Sequence, residues 1–119
     1  MNQEIHDKMN TYFASKLAAC AAEAAALEAD DRKDEAIFAR IRGNVYDIFR
    51  TVFSVALNTE ADAAGMFRKK LDEIPRNWQT ARQLAETHGN SGKAHIEDIK
   101  LQTAAEIRRV FEAVREESI

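Results

Sequence analysis

Apolar and polar positions follow a helical period along most of this 119-residue chain. The clearest segment is 37–57, where apolar side chains cover about 200° of the helix circumference, roughly twice the stripe of an ordinary surface helix. One edge of this face holds Ile37, Ile41, Val45, Ile48, Val52 and Val55, and the other edge holds Tyr46, Phe49, Phe53 and Leu57. So wide an apolar face indicates either the most buried element of a monomer or a helix shared between a core and a second interface.

Three further segments show the same period. Residues 3–28 and the residues from 93 onward each carry one apolar stripe, and residues 60–86 carry a third. Together with a helix over 32–57, the pattern predicts four helices of roughly 25 to 29 residues with short polar connections. Asp31, Thr59 and Ser91 are the predicted N-caps of the second, third and fourth helices, and Gly89 suits a left-handed position after the third.

The only proline, Pro75, lies inside the third predicted helix. The apolar stripe continues through it in the same phase, and Ile74 would be a poor N-cap if a new helix began there. The sequence therefore favours one helix, bent at Pro75 because the Leu71 carbonyl loses its helical partner. The alternative, in which Pro75 splits the segment and produces a five-helix array, stays open.

Helices of matched length with short connections are typical of antiparallel bundles. We therefore predict an all-α fold, an antiparallel up-down-up-down four-helix bundle with a Pro-kinked third helix, in a single domain over 1–119. The residues central in their helices and on their apolar stripes are predicted to be buried: Val45, Ile48, Val52, Phe67, Leu71, Ile107 and Val110.

Composition narrows the classes of partner. The formal net charge is −3 and the pI about 5.6, which disfavours nucleic acid because phosphate neutralisation dominates such binding. No apolar run approaches the roughly 18 residues of a membrane helix, so we expect no membrane association. The first ten residues lack the features of a signal peptide and there is one cysteine, from which we expect a cytoplasmic location.

Two patterns that could indicate a metal or a cofactor are incomplete. None of the three histidines, His6, His88 and His95, has the Glu three residues earlier that di-iron bundles use. The segment 88–95 resembles a phosphate-binding loop but lacks its first glycine and the hydroxyl residue after Lys93. The sequence predicts neither a metal site nor a bound cofactor.

The wide apolar face of the second helix suggests self-association. If one edge packs in the core, the other edge would leave a contiguous apolar patch that marks an interface. We therefore predict a non-enzymatic interaction or assembly module that forms a two-fold homodimer through the second helix. The predicted interface consists of Arg42, Tyr46, Phe49, Phe53 and Leu57. In such a pair Arg42 would approach Glu35 or Asp47 of the other copy; an unidentified protein partner is a further hypothesis.

A second hypothesis starts from Arg42, whose charge lies inside the apolar arc of the second helix. A buried guanidinium needs a partner, and that partner could be an anionic ligand held inside the bundle. The sequence therefore also allows a sensor or carrier with a small ligand near Arg42, Tyr46 and Trp78. An enzyme is the less favoured class, because no catalytic residues can be singled out from the pattern.

Overall fold

A computed structural model describes residues 1–118 as four α-helices. They are α1 (Gln3–Ala29), α2 (Lys33–Thr59), α3 (Ala63–Thr87) and α4 (Ser91–Glu117). The described residues contain no β-strand, so the predicted all-α class and the predicted number of helices are confirmed. No helix in this part of the chain is long and apolar enough to cross a membrane.

The helix ends differ from the prediction at the N-caps. Asp31 does not cap α2: it has φ 57° and occupies the left-handed position after α1, where the Arg32 N–H donates to the Leu27 carbonyl at 2.8 Å. This is a Schellman motif, which satisfies the last carbonyls of a helix. Gly89 plays the same part after α3 with φ 68°, as predicted.

The caps of α3 and α4 are also displaced from the predicted residues. The Asp62 carboxylate, not the Thr59 hydroxyl, accepts the N–H of Gly65 in the first turn of α3. At the start of α4, Asn90 instead of Ser91 is the cap, and its side chain accepts the N–H of Lys93. Thr59 still belongs to α2 and donates to the Val55 carbonyl. Side-chain oxygens of Asp and Asn are strong acceptors at this position, so both caps satisfy helix-end donors.

α3 runs without interruption through Pro75, which is buried. Within the described residues this excludes the alternative in which Pro75 begins a fifth helix. The Pro75 ring has no N–H, so the Leu71 carbonyl has no donor four residues ahead.

Helices α2 and α4 lie at the centre of the packing. Each contacts all three other helices, whereas α1 and α3 do not contact each other. Along α1 and α2 the residue numbers in contact change in opposite directions: His6 with Phe53, Tyr12 with Tyr46, and Glu23 with Arg42. The same holds for α3 and α4: Arg68 with Glu112, Asp72 with Arg108, and Arg82 with Asp98.

The core is built around one phenylalanine from each helix, Phe13, Phe53, Phe67 and Phe111, all fully buried. The Phe67 ring lies 4.8 Å from Phe111 and 5.2 Å from Phe53, measured between ring centroids, at steep interplanar angles typical of favourable aromatic pairs. Four predicted core residues are buried: Val45, Phe67, Leu71 and Ile107. Val52 and Val110 are half-buried.

The predicted orientation of α2 is wrong. Ile48, expected in the core, is 40% exposed, while Tyr46, Phe49 and Phe53, expected at the surface of one chain, are at most 5% exposed. The edge that faces the core includes three buried alanines, Ala36, Ala39 and Ala56, which allow neighbouring helices to approach closely. Because α1, α3 and α4 all pack against this edge, the opposite edge is left at the surface.

Candidate functional site

The surface edge of α2 carries five β-branched aliphatic residues, which we call the outer face of α2: Ile37, Ile41, Ile48, Val52 and Val55. Ile37, Ile48 and Val55 are 46%, 40% and 51% exposed. The residues that lie between them on this face are Asn44 and Thr51, which are exposed and uncharged. The outer face therefore presents a row of apolar side chains without an intervening charge.

This apolar surface extends toward α3. Val52, Val55 and Ala56 of α2 line a depression of about 140 Å³ together with Met66 of α3. Leu84, also on α3, is 57% exposed. Among the described residues, the large hydrophobic side chains with high exposure are Met1, Ile37, Ile48, Val55 and Leu84.

The residues predicted to form an interface are used inside one chain. Tyr46, Phe49 and Phe53 lie in the core, and Leu57 is half-buried against it. Arg42 donates to Glu23 of α1 at 2.9 Å, whereas Glu35 binds Arg32 and Asp47 binds Arg50. Tyr46, Phe49 and Phe53 are covered by neighbouring helices of the same chain, whereas Arg42 and Leu57 are only partly buried.

On the opposite side of α2, four polar side chains form what we call the Glu106 cluster: Tyr12, Lys16, Tyr46 and Glu106. The Tyr12 hydroxyl donates to Glu106 Oε2 at 2.6 Å, and the Tyr46 hydroxyl donates to the same oxygen. Lys16 Nζ lies 3.7 Å from Glu106 Oε1. The two tyrosine rings meet edge to face, with 6.0 Å between their centroids.

These contacts stabilise the ionised form of Glu106. Burial raises the pKa of its carboxyl, but the hydrogen bonds from Tyr12 and Tyr46 and the charge of Lys16 outweigh burial and lower that pKa below its ordinary value. Burial and the hydrogen bond to Glu106 raise the pKa of both tyrosines. At neutral pH the cluster therefore holds a carboxylate and two protonated phenols.

A cleft of about 210 Å³ opens beside this cluster between α2 and α4; we call it the α2–α4 cleft. Its lining residues are Arg42, Tyr46, Ile99, Gln102, Thr103, Glu106 and Arg109. Two of the three residues of the ligand hypothesis, Arg42 and Tyr46, thus line the same cleft. Trp78 does not line it and packs instead on Phe49, with 6.3 Å between ring centroids.

Sequence analysis did not identify Tyr12, Glu106 or Arg109 as site residues. Tyr12 lies on the apolar stripe of α1, where it resembles a core residue, and Glu106 lies on α4 beside Ile107. A pattern along one helix cannot show that a carboxylate on α4 meets hydroxyls from α1 and α2. Arg42 and Tyr46 were the residues of the ligand hypothesis that pointed to this side of α2.

Within residues 1–118, no three His, Cys, Asp or Glu side chains lie close enough together to hold a metal ion. Comparisons of the chain with protein-family models, with curated proteins and with solved structures each find no match.

Proposed function

We propose that this chain is a non-enzymatic assembly module of the cytoplasm that forms a homodimer through the outer face of α2. The observation that carries the proposal is the row of exposed Ile37, Ile48 and Val55 on one edge of a single helix. Exposed apolar side chains that form a contiguous surface, in contrast to scattered ones, are a mark of interaction sites. The proposal keeps the helix that the sequence indicated and replaces the residues that form the contact.

The spacing on the outer face supports a helical partner. Ile41, Ile48 and Val55 recur every seven residues, and so do Ile37, Asn44 and Thr51. A seven-residue repeat keeps side chains in line along the seam between two helices. From Ile37 to Val55 this seam is about 27 Å long at the rise of an α-helix.

A second copy of the chain is the partner that fits this surface best. A two-fold axis places the same face of each copy opposite the other, so an apolar row meets an apolar row. Because the intervening Asn44 and Thr51 are neutral, pairing leaves no buried charge without a partner. The depression beside Val55 and Met66 offers space for a branched side chain of the other copy.

Sedimentation equilibrium with the variant Ile48→Lys tests the proposal. The wild type should sediment at twice its 13.4 kDa mass at about 100 µM, and Ile48→Lys should sediment as a monomer with unchanged helix content. Ala22→Lys, which adds the same charge at an exposed position of α1, is the matched control and should remain a dimer. A monomeric wild type would refute the proposal.

Cross-linking locates the contact independently. In a Cys20→Ser background, which removes the one native thiol, Ile48→Cys should form an intermolecular disulfide under mild oxidation, because a two-fold axis near the middle of the seam brings the two positions together. Ala22→Cys should not. The variant Phe53→Asp, suggested by the sequence, is not suitable because Phe53 is fully buried and its replacement would unfold the chain.

We further infer that the four helices form an up-down-up-down antiparallel bundle with α3 bent at Pro75. The opposed numbering of the contacts between α1 and α2, and between α3 and α4, supports the antiparallel arrangement. A missing N–H inside a continuous helix supports the bend. A crystal structure should show an angle of more than about 20° between the axes of 63–74 and 75–87.

A second function, a sensor or carrier of a small ligand, is supported by the α2–α4 cleft. Arg42 and Tyr46 line that cleft as the hypothesis required, although Trp78 lies elsewhere. The cleft and the outer face lie on opposite sides of α2, so one chain could use both.

A further inference from the structure

The α2–α4 cleft combines hydrogen-bond donors and acceptors above a buried floor. Arg42 on α2 and Arg109 and Gln102 on α4 supply donors, and Glu106 supplies an acceptor. Ile99 and Thr103 form the floor and are at most 8% exposed. A cleft of about 210 Å³ is smaller than the pockets of drug-sized ligands, which indicates a ligand of metabolite size.

One oxygen of Glu106 is available to a ligand. Both tyrosine hydroxyls donate to Oε2, whereas Oε1 has only Lys16, at 3.7 Å, which is beyond hydrogen-bond distance. A carboxylate oxygen accepts more than one hydrogen bond, so Oε1 can receive a charged N–H donor. The tyrosines hold the carboxylate in position, and Oε1 keeps acceptor capacity beside its ion pair with Lys16.

The two guanidinium groups also have unused donors. Arg109 makes no ion pair or side-chain hydrogen bond within residues 1–118, and Arg42 uses Nη2 alone for Glu23. A guanidinium carries five N–H donors in a planar fork that matches a carboxylate. The lining of the cleft therefore offers a cationic group for a carboxylate and an anionic group for an ammonium.

We propose that the α2–α4 cleft binds a small zwitterion with the chemistry of a free α-amino acid, its ammonium on Glu106 Oε1 and its carboxylate on Arg109. The inference rests on the second function proposed above and names its class of ligand. A simple anion would satisfy Arg109 but add a negative charge beside Glu106, and a simple cation would satisfy Glu106 but add a positive charge beside Arg109 and Lys16. A zwitterion satisfies both groups, and charge-assisted hydrogen bonds of this kind are the strong ones.

Titration of the full chain with L-alanine, followed by amide NMR, tests this proposal. Saturable shifts are expected for the Gln102 side-chain amide and for backbone amides of 99–109. Arg109→Gln should weaken the binding of L-alanine by about tenfold or more, because the bidentate contact to the carboxylate is lost. The matched control is Arg76→Gln, since Arg76 is likewise exposed and makes no ion pair within residues 1–118; it should leave binding unchanged.

Propionate and ethylamine, which each lack one charge of L-alanine, identify the class of ligand. Both should bind more weakly than L-alanine by about tenfold or more. If either binds as tightly, the zwitterion class is refuted while a carrier function at the cleft survives. If none of the three probes shifts these amides up to about 10 mM, the zwitterion proposal is overturned together with this choice of site. An Arg109→Gln variant that binds L-alanine normally would also overturn the proposal.

Discussion

Individual backbone positions explain how the helices end. Asp31 and Gly89 both follow a helix in the left-handed region, with φ 57° and 68°, but only Gly89 lacks a Cβ. A residue with a Cβ is strained there by roughly 1 kcal/mol or more, although Asp tolerates the conformation better than most residues. The two connections therefore use the same geometry with different residues.

We expect Asp31→Gly to stabilise the chain and Gly89→Ala to destabilise it. The first change relieves strain at the left-handed position and should raise the free energy of unfolding by about 0.5–1 kcal/mol. Gly89→Ala should lower the free energy of unfolding by about 1 kcal/mol. No atom lies within 4 Å of the added Cβ, so this loss would report backbone strain and not a steric clash. Urea denaturation measures both. If both substitutions changed the free energy of unfolding in the same direction by equal amounts, strain at the left-handed positions would not explain them.

The Glu106 cluster makes a residue-scale prediction about pH. Because the pKa of Glu106 is lowered in the folded chain, the stabilisation is present above its ordinary value of 4.5 and is lost as the pH falls through the lower folded value. Tyr12→Phe removes one donor to the carboxylate and should lower the free energy of unfolding by about 1.5–3 kcal/mol at neutral pH. The difference from wild type should shrink below about pH 4.

Urea denaturation of wild type and Tyr12→Phe across this pH range measures the effect. Glu106→Gln provides the control, because in that background the effect of Tyr12→Phe should no longer change between about pH 3 and pH 7. If Tyr12→Phe lowers the free energy of unfolding by the same amount at every pH in the chain that retains Glu106, then Tyr12 does not stabilise an ionised Glu106.

At the scale of the element, the orientation of α2 can be tested with two substitutions on opposite edges. Phe53→Ala removes a fully buried ring and should lower the free energy of unfolding by roughly 3–5 kcal/mol. Ile48→Ala removes a side chain that is 40% exposed and should change it by less than about 1 kcal/mol. The comparison requires a protein concentration at which the chain is monomeric. Similar losses for both variants would show that both edges are buried.

For the whole molecule, the four central phenylalanines predict cooperative unfolding. Each helix contributes one of these rings, so no helix can leave without exposing the core of the other three. Far-UV circular dichroism, which reports all helices, and fluorescence of Trp78, which reports α3, should give the same denaturation midpoint. Phe67→Ala should lower both midpoints equally. Separate midpoints would indicate that α3 unfolds apart from the other helices.

The sequence by itself determined the helical segments, their approximate limits and the continuity of the apolar stripe through Pro75, and the structure then excluded a fifth helix beginning at Pro75. These properties depend on local spacing and on residues that break or cap helices, and both can be read along a single segment. The left-handed conformation of Gly89 was also predictable from the sequence, because it depends on the absence of a Cβ at that residue.

Tertiary structure alone decided which edge of α2 is buried and which residues meet at the α2–α4 cleft. Both edges of α2 are apolar, so the period of the sequence does not distinguish the buried edge from the exposed one. The three other helices pack on the edge that carries Tyr46, Phe49 and Phe53, and this packing decides which edge is buried. The contact of Tyr12 and Tyr46 with Glu106 joins residues 94 and 60 positions apart. Such contacts depend on how helices are placed in space, which no pattern within one helix contains.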